Sequence, residues 1–179
     1  MQLPLFKPPT EWVMPDGFPD LNSYEEVAID LETKDPNLTT MGSGWARKDG
    51  HIIGVAVAVT GNQWYFPIRH ENGPNFDPKV TLSWLRDVCK INRDYVFHNA
   101  QYDVGWLLAE DVFIKGRIVD TMVVAPLLDE NRFSYALNAI GRDYLQERKS
   151  EVELREAAEA FGVNAKSEMY KLPAAYVGA

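Results

Sequence analysis

The sequence predicts an α/β fold, in which a mixed sheet is flanked by helices on both faces. Two observations support this prediction. Three β-rich segments before residue 70 are separated by loops and turns alone, which is typical of a three-strand antiparallel meander. After residue 90, short β-rich segments alternate with helical ones, which indicates parallel strands joined by crossover helices.

Length and composition indicate one ordinary globular domain. The chain has 179 residues, of which 46% are hydrophobic and 25% charged. Cys89 is the one cysteine, which excludes an intrachain disulfide and favours a reducing, cytoplasmic compartment. No apolar run reaches membrane-spanning length and no signal pattern begins the chain, so we expect no membrane partner. The net charge of -8 argues against a free-standing nucleic-acid binder.

The first half of the chain begins with a leader. Residues 1–23 are rich in proline, which predicts an extended segment that packs Leu5, Phe6, Trp12 and Phe18 onto a domain spanning residues 24–179. A strand is predicted at 27–33 and a loop at 34–50. The β-branched run at 51–60 predicts a central strand. A turn follows, after which the chain returns in a second strand at 63–68.

The second half predicts strands and helices in alternation. Most of the helices follow a residue that can cap their first turn. The predicted elements are a helix opened by Asp77 and Pro78 and ending near Lys90, a strand at 95–98, a helix capped by Asn99 and ending near Glu110, a strand at 117–119, a helix capped by Asp120 that Pro126 kinks or shortens, a helix capped by Ser134 and ending near Glu147, a helix at 151–161, and an irregular tail at 162–179.

Two carboxylates end the first strand. Side chains alternate along a strand, so Asp30 and Glu32 face one way while Val27, Ile29 and Leu31 face the other. Two acids on one face of a buried strand repel each other and lose hydration unless cations lie between them. Their α-carbons, about 6.5 Å apart, suit two oxygen ligands of a divalent metal. The alternative is a strand end that emerges into solvent, where acids are common.

A second polar cluster opens the helix after residue 98. Asn99, Tyr102 and Asp103 share one face of its first turn, where the helix N-terminus is expected to keep Asp103 ionised. Plain helix capping is the alternative for this cluster alone. Together with the first pair of acids, one crossover away, Asp103 is better interpreted as a third metal ligand. His51 and His70 are interpreted as surface residues, and Cys89 as a buried thiol.

These residues carry a family resemblance. With Asp30-Leu31-Glu32-Thr33 and Asn99-Ala100-Gln101-Tyr102-Asp103, the sequence resembles the 3′–5′ proofreading exonuclease domain of A-family DNA polymerases, of the DEDD group and the RNase H-like fold. The resemblance covers about residues 24–179 and implies a phage or bacterial source. The family's last motif, Tyr-x-x-x-Asp on a late helix, has no match. The tail at 172–179 looks like the approach to that helix, so we expect a truncated domain.

The resemblance implies a two-metal nuclease. Two Mg²⁺ or Mn²⁺ ions would be held by Asp30, which bridges both, by Glu32 on the water-activating ion and by Asp103 on the second ion. Oxygen ligands without a Cys/His cluster also favour Mg²⁺ or Mn²⁺ over Zn²⁺. The residues that would position the terminal nucleotide are Thr33, Asn99 and Tyr102.

The implied partners are a single-stranded DNA 3′ end and a polymerase domain in the same or a separate chain, in a bacterial cell or phage-infected host. Because one acid is missing, we expect feeble activity from residues 1–179. Two alternatives stay open: a non-catalytic RNase H-like module that binds nucleic acid or protein, and a complete exonuclease of another DEDD branch with an unidentified fourth acid.

Overall fold

The computed structural model describes residues 7–146 and 151–178. Its five strands form one sheet in the order β3-β2-β1-β4-β5, antiparallel from β3 to β1 and parallel from β1 to β5. The strands are β1 (Glu26–Lys34), β2 (His51–Val59), β3 (Asn62–Pro67), β4 (Asp94–Phe97) and β5 (Arg117–Asp120). The helices are α1 (Leu38–Met41), α2 (Pro78–Cys89), α3 (Ala100–Ala109), α4 (Thr121–Leu128), α5 (Leu137–Ile140) and α6 (Val152–Phe161). The predicted mixed α/β sheet is confirmed.

The two faces of β1 differ as the alternation predicted. Val27, Ile29 and Leu31 are buried in a core that also contains buried residues of α2 and α3. Ala28 and Glu32 on the opposite face are half-buried, and Asp30 is exposed. The apolar face therefore holds the sheet to its helices, and the acids lie on the face that the core does not use. Within the described ranges, no helix combines the length and apolar character needed to cross a membrane.

The leader packs onto the domain through its aromatic residues. The Phe18 ring lies 5.0 Å from that of Trp84 and 5.3 Å from that of Phe66. Trp12 meets Tyr65 edge-on at 6.3 Å. Leu5 and Phe6 lie outside the described residues. Leader packing is thus present for two of the four side chains for which it was predicted.

The structure corrects three local predictions. The loop predicted at 34–50 contains α1 and a 3-10 turn at Trp45–Arg47, where the Asp35 carboxylate accepts a bond from the Gly44 amide. Ser134 does not cap a helix, because its hydroxyl accepts from Ala136 N within the loop and α5 begins only at Leu137. The tail predicted as irregular contains 3-10 turns at Met169–Lys171 and Ala174–Tyr176. Glu147, the predicted end of the Ser134 helix, lies outside the described residues.

His70 is buried, so the prediction that it lies on the surface is wrong. Its Nδ1 lies 2.8 Å from the Leu172 carbonyl oxygen, and its Nε2 lies 2.6 Å from the Tyr65 hydroxyl. A carbonyl can only accept, so Nδ1–H donates and Nε2 accepts from Tyr65. Burial lowers the pKa of His70, which favours this neutral form. The C-terminal segment covers the ring, a long-range contact that local sequence did not reveal.

Gly54 gives a test of this packing. A Cβ at Gly54 would lie 2.0 Å from the Tyr65 hydroxyl oxygen, whereas a Cβ at Gly17 would meet nothing within 4 Å. We expect Gly54→Ala to displace Tyr65 from His70 and to lower the free energy of unfolding by about 1–3 kcal/mol in chemical denaturation. The control Gly17→Ala should change it by less than about 0.5 kcal/mol. Equal effects of the two substitutions would contradict the packing described here.

Candidate active site

Asp103 reaches β1 where the sheet opens. The register pairs β1 with β4 only as far as Ala28 opposite Val96, while β1 continues to Lys34. Beyond that point the Leu31 N–H meets α3, and it donates to Asp103 Oδ1 at 3.0 Å. The buried Asp103 carboxyl thus contacts the backbone between Asp30 and Glu32. This one bond therefore joins β1, which carries Asp30 and Glu32, to α3, which carries Asp103.

The acids do not form a ready-made metal cage. Asp30 and Glu32 line a cavity of about 590 Å³ on the face of the sheet opposite the core, and Asp103 is not among the residues that line it. In the ranges 7–146 and 151–178, no group of three or more His, Cys, Asp or Glu side chains is placed to hold a metal ion. Any shared cation would therefore need oxygen ligands beyond these three side chains.

Electrostatics link the three acids. Burial, and then the negative charges of Asp30 and Glu32, raise the pKa of Asp103 to about 7, against the opposing effect of the Leu31 N–H. The helix N-terminus was predicted to keep Asp103 ionised, but with the raised pKa this carboxyl is only partly ionised near neutral pH in the cation-free protein. The helix dipole is a weak, local effect, and burial beside like charges outweighs it.

Thr33 and Tyr102 bond to each other. Their hydroxyl oxygens lie 2.6 Å apart, and the Tyr102 hydroxyl also donates to Asp35 Oδ2 at 3.3 Å. Since Tyr102 has one proton, which it gives to the carboxylate, Thr33 donates to Tyr102. These bonds join the first turn of α3 to the end of β1. Asp35 was not singled out from the sequence, where an acid in a loop after a strand gives no sign of this contact.

Asn99 does not cap α3, contrary to the prediction. Its side chain makes no cap bond and its backbone is left-handed, with φ 71° and ψ 53°. At the end of β5, Asp120 accepts from the backbone amides of Asn99 and Ala100, and it also caps α4 as predicted. Asn99 itself is exposed at the surface.

His98 and Tyr65 also line the cavity that holds Asp30. The Thr121 hydroxyl donates to the Phe97 carbonyl at 3.1 Å, so it accepts from His98 Nδ1, 2.9 Å away. The hydrogen of the neutral His98 ring therefore lies on Nδ1, and the bond to Thr121 fixes the orientation of the ring. Neither residue was predicted to lie at this site, because their proximity to Asp30 depends on strand register and not on spacing along the chain.

Sequence comparison relates the chain to phage DNA polymerases. It is 36% identical over 186 residues to a DNA-directed DNA polymerase of Pseudomonas phage M6, covering 99% of this chain and 28% of that protein. It is 34% identical over 147 residues to the DNA polymerase DpoZ of Salmonella phage PMBT28, covering 81% of this chain and 21% of that protein. The chain thus spans about a quarter of the length of these relatives. No protein-family model matches it.

Structure comparison gives the same fold. Brucella melitensis NrnC with bound Mg²⁺ aligns with a TM-score of 0.51 and 17% identity, over 85% of this chain and 83% of that one. The Nibbler EXO domain of Aedes aegypti aligns with a TM-score of 0.53 and 9% identity, over 84% and 72%. At these identities the likeness concerns the fold. The sequence relatives confirm the predicted relation to DNA polymerases, and the structural neighbours confirm the predicted mixed α/β fold.

The raised pKa of Asp103 predicts how stability depends on pH. The unfolded carboxyl loses its proton near its ordinary value of 3.8, but the folded one loses it only near 7, so this group costs stability as pH rises through that window. Asp103→Asn keeps an acceptor for Leu31 and removes the cost. Without divalent cations, the variant should gain on the order of 1 kcal/mol or more over wild type between pH 4 and pH 8.

The measurement is chemical denaturation in chelator at several pH values. Asp87→Asn, at an exposed acid on α2, is the control. A difference between Asp103→Asn and wild type that does not change with pH would contradict the raised pKa.

Proposed function

We propose, from the premise that this chain belongs with the exonuclease domains of DNA polymerases, that it removes nucleotides from the 3′ end of single-stranded DNA. The observation that carries the proposal is the bond from Leu31 N–H to Asp103, which brings a third acid to the backbone of Asp30 and Glu32. Its partner would be a polymerase domain in the same or a separate chain. The relatives are phage proteins, so the bacterial cytoplasm of the infected host is the proposed location.

The three acids suit hard divalent cations. Oxygen ligands without Cys or His favour Mg²⁺ or Mn²⁺, and like-charge crowding at Asp103 is a strain that cations relieve. Asp30 would hold both ions, Glu32 the first and Asp103 the second. When bound, such ions stabilise charge on the scissile phosphate and lower the pKa of a bound water. The role of the protein is to keep the carboxylates fixed, with Asp103 deprotonated.

The polar residues around the acids would position the terminal nucleotide. Asn99 is exposed at the start of α3, the helix that carries Asp103, so its side-chain amide is available to a sugar or phosphate. Thr33 and Tyr102 would act mainly by holding α3 against β1, since their hydroxyls already bond to each other and to Asp35. Asn99 would therefore contact the substrate, and Thr33 and Tyr102 would keep the site rigid.

A complete site would need a further carboxylate. In a longer polypeptide, a segment after residue 179 with the pattern Tyr-x-x-x-Asp would supply it. Val177 and Gly178 line the same cavity as Asp30, so such a segment would begin beside the acids. Ala28, Ala56 and Ala58 also line this cavity, and their small side chains would permit a helix to approach the sheet closely.

A non-catalytic binding module is the second candidate function. Two observations favour it: the described residues hold no preformed group of three or more metal-binding side chains, and the whole chain carries a net charge of -8. A site that binds two Mn²⁺ ions in titration calorimetry would support the nuclease, and one that binds none would support the module.

Divalent cations should stabilise the domain, because a ligand that binds only the folded state adds RT ln(1 + [L]/Kd) to its stability. We expect the melting temperature to rise across a Mn²⁺ or Mg²⁺ titration. Asp30→Ala should abolish most of this rise, and should raise the metal-free melting temperature by removing a charge near Asp103. Asp87→Ala should leave the rise unchanged. A melting temperature insensitive to both cations would count against the metal site.

Activity should depend on the missing acid. Residues 1–179 should degrade a single-stranded DNA oligonucleotide from its 3′ end feebly, whereas an extended chain with a Tyr-x-x-x-Asp segment should release nucleotides in Mn²⁺ or Mg²⁺. The substrate carries a 5′ label, so that 3′ trimming gives a ladder, and extended Asp30→Ala is the inactive control. Full activity of residues 1–179 would refute the missing-ligand argument. An inactive extended chain would favour the binding module.

A further inference from the structure

One carboxylate joins the start of α3 to the start of α4. Asp120 Oδ1 accepts from Asn99 N at 3.0 Å and from Met122 N at 2.9 Å, and Oδ2 accepts from Ala100 N at 2.8 Å. Partial burial alone would raise the pKa of Asp120, but these three N–H donors hold it below its ordinary value. Asp120 is thus an ionised acceptor with both oxygens engaged.

The contact with Asn99 explains an unusual backbone. Asn99 is in the left-handed region, which few residues other than glycine adopt. The turn it makes carries the chain from β4 into α3, and it aims the Asn99 and Ala100 N–H groups at the same carboxylate. A capping residue has an extended backbone, whereas that of Asn99 is left-handed, and its side chain makes no cap bond and lies exposed.

The start of α3 controls where Asp103 lies. Ala100 is the first residue of α3 and Asp103 the fourth, so both belong to its first turn. Asp103 must meet the Leu31 N–H at hydrogen-bond distance, and small movements of that turn would break the bond. Asp120 binds the start of this turn through the Asn99 and Ala100 amides, and the Leu31 N–H donates to the Asp103 carboxyl of the same turn.

We propose that Asp120 is a positioning residue for the nuclease site: through the backbone of Asn99 and Ala100, it holds Asp103 against Leu31 and keeps the Asn99 side chain directed outward. The proposal rests on the proposed function for its consequence in cation binding, but the placement itself does not. The same three bonds give Asp120 a structural role that needs no metal ion, because its carboxylate accepts backbone donors at the starts of two helices.

Asp77 offers a matched control. It caps α2 in the same manner, accepting from Lys79 N and Val80 N, and the predicted site residues lie on other elements. Asp120→Asn and Asp77→Asn each put an amide where a carboxylate accepts backbone donors. The Oδ1 of asparagine can keep the bonds that Asp77 and Asp120 accept from their own helices, so both variants retain that cap. Only in Asp120→Asn does the new NH2 group face the backbone amide of Ala100.

Amide hydrogen exchange of residues 1–179, followed by NMR, separates positioning from capping. In Asp120→Asn, the amides of Leu31, Asn99 and Ala100 should exchange at least tenfold faster than in wild type, and in Asp77→Asn they should not. Mn²⁺ titration of the melting temperature should show a 10–100-fold weaker apparent affinity for Asp120→Asn alone, the usual effect of losing a group that orients a ligand.

Leu31 exchange and Mn²⁺ affinity that match in the two variants would overturn the proposal. If wild type shows no response to Mn²⁺, the proposed function fails, and Leu31 exchange still decides whether Asp120 positions Asp103. If Asp120→Asn does not fold, Asp120→Ser replaces it, because a serine can cap α4 but cannot also reach Asn99 and Ala100. The same faster Leu31 exchange is expected there, and unchanged exchange would overturn the proposal.

Discussion

The hydrogen bond from the Leu31 amide to Asp103 is the contact on which the site depends. It forms because β1 runs past its pairing with β4, which leaves a backbone donor at the point where the sheet opens. A buried N–H needs an acceptor, and α3 provides one with a carboxyl group. The Asp103 side chain thus satisfies a backbone donor of β1 and also supplies an acid to the site.

The arrangement places stability and function in opposition. A buried carboxyl beside two other acids resists ionisation, as the pKa of about 7 at Asp103 shows. A neutral alternative at this position would suit the cation-free fold better, but it could not serve as an anionic ligand. Functional sites are where such conflicts are expected, and the raised pKa of Asp103 is one example.

Around the acids, rigidity comes from hydrogen bonds between segments distant in the chain. Tyr102 joins Thr33 and Asp35, Asp120 joins the starts of two helices, and His70 joins Tyr65 to Leu172. The His70 bonds are buried and those of Tyr102 partly buried, whereas the bonds of Asp120 to Asn99 and Met122 are exposed. Among these side chains, Tyr65 lines the cavity beside Asp30, and its bond to His70 holds it in place.

The sequence by itself determined the mixed sheet, with its antiparallel meander and parallel strands, the two faces of β1 and the acids on its outer face. These features follow from alternation, turn residues and crossover rules. It also determined that Asp120 would cap a helix. Only the tertiary structure decided that Asp120 would serve two helices, that Asn99 would turn left-handed, that His70 would be buried and that Asp103 would resist ionisation. Those outcomes depend on burial and on partners far away in the chain, which a local pattern does not contain.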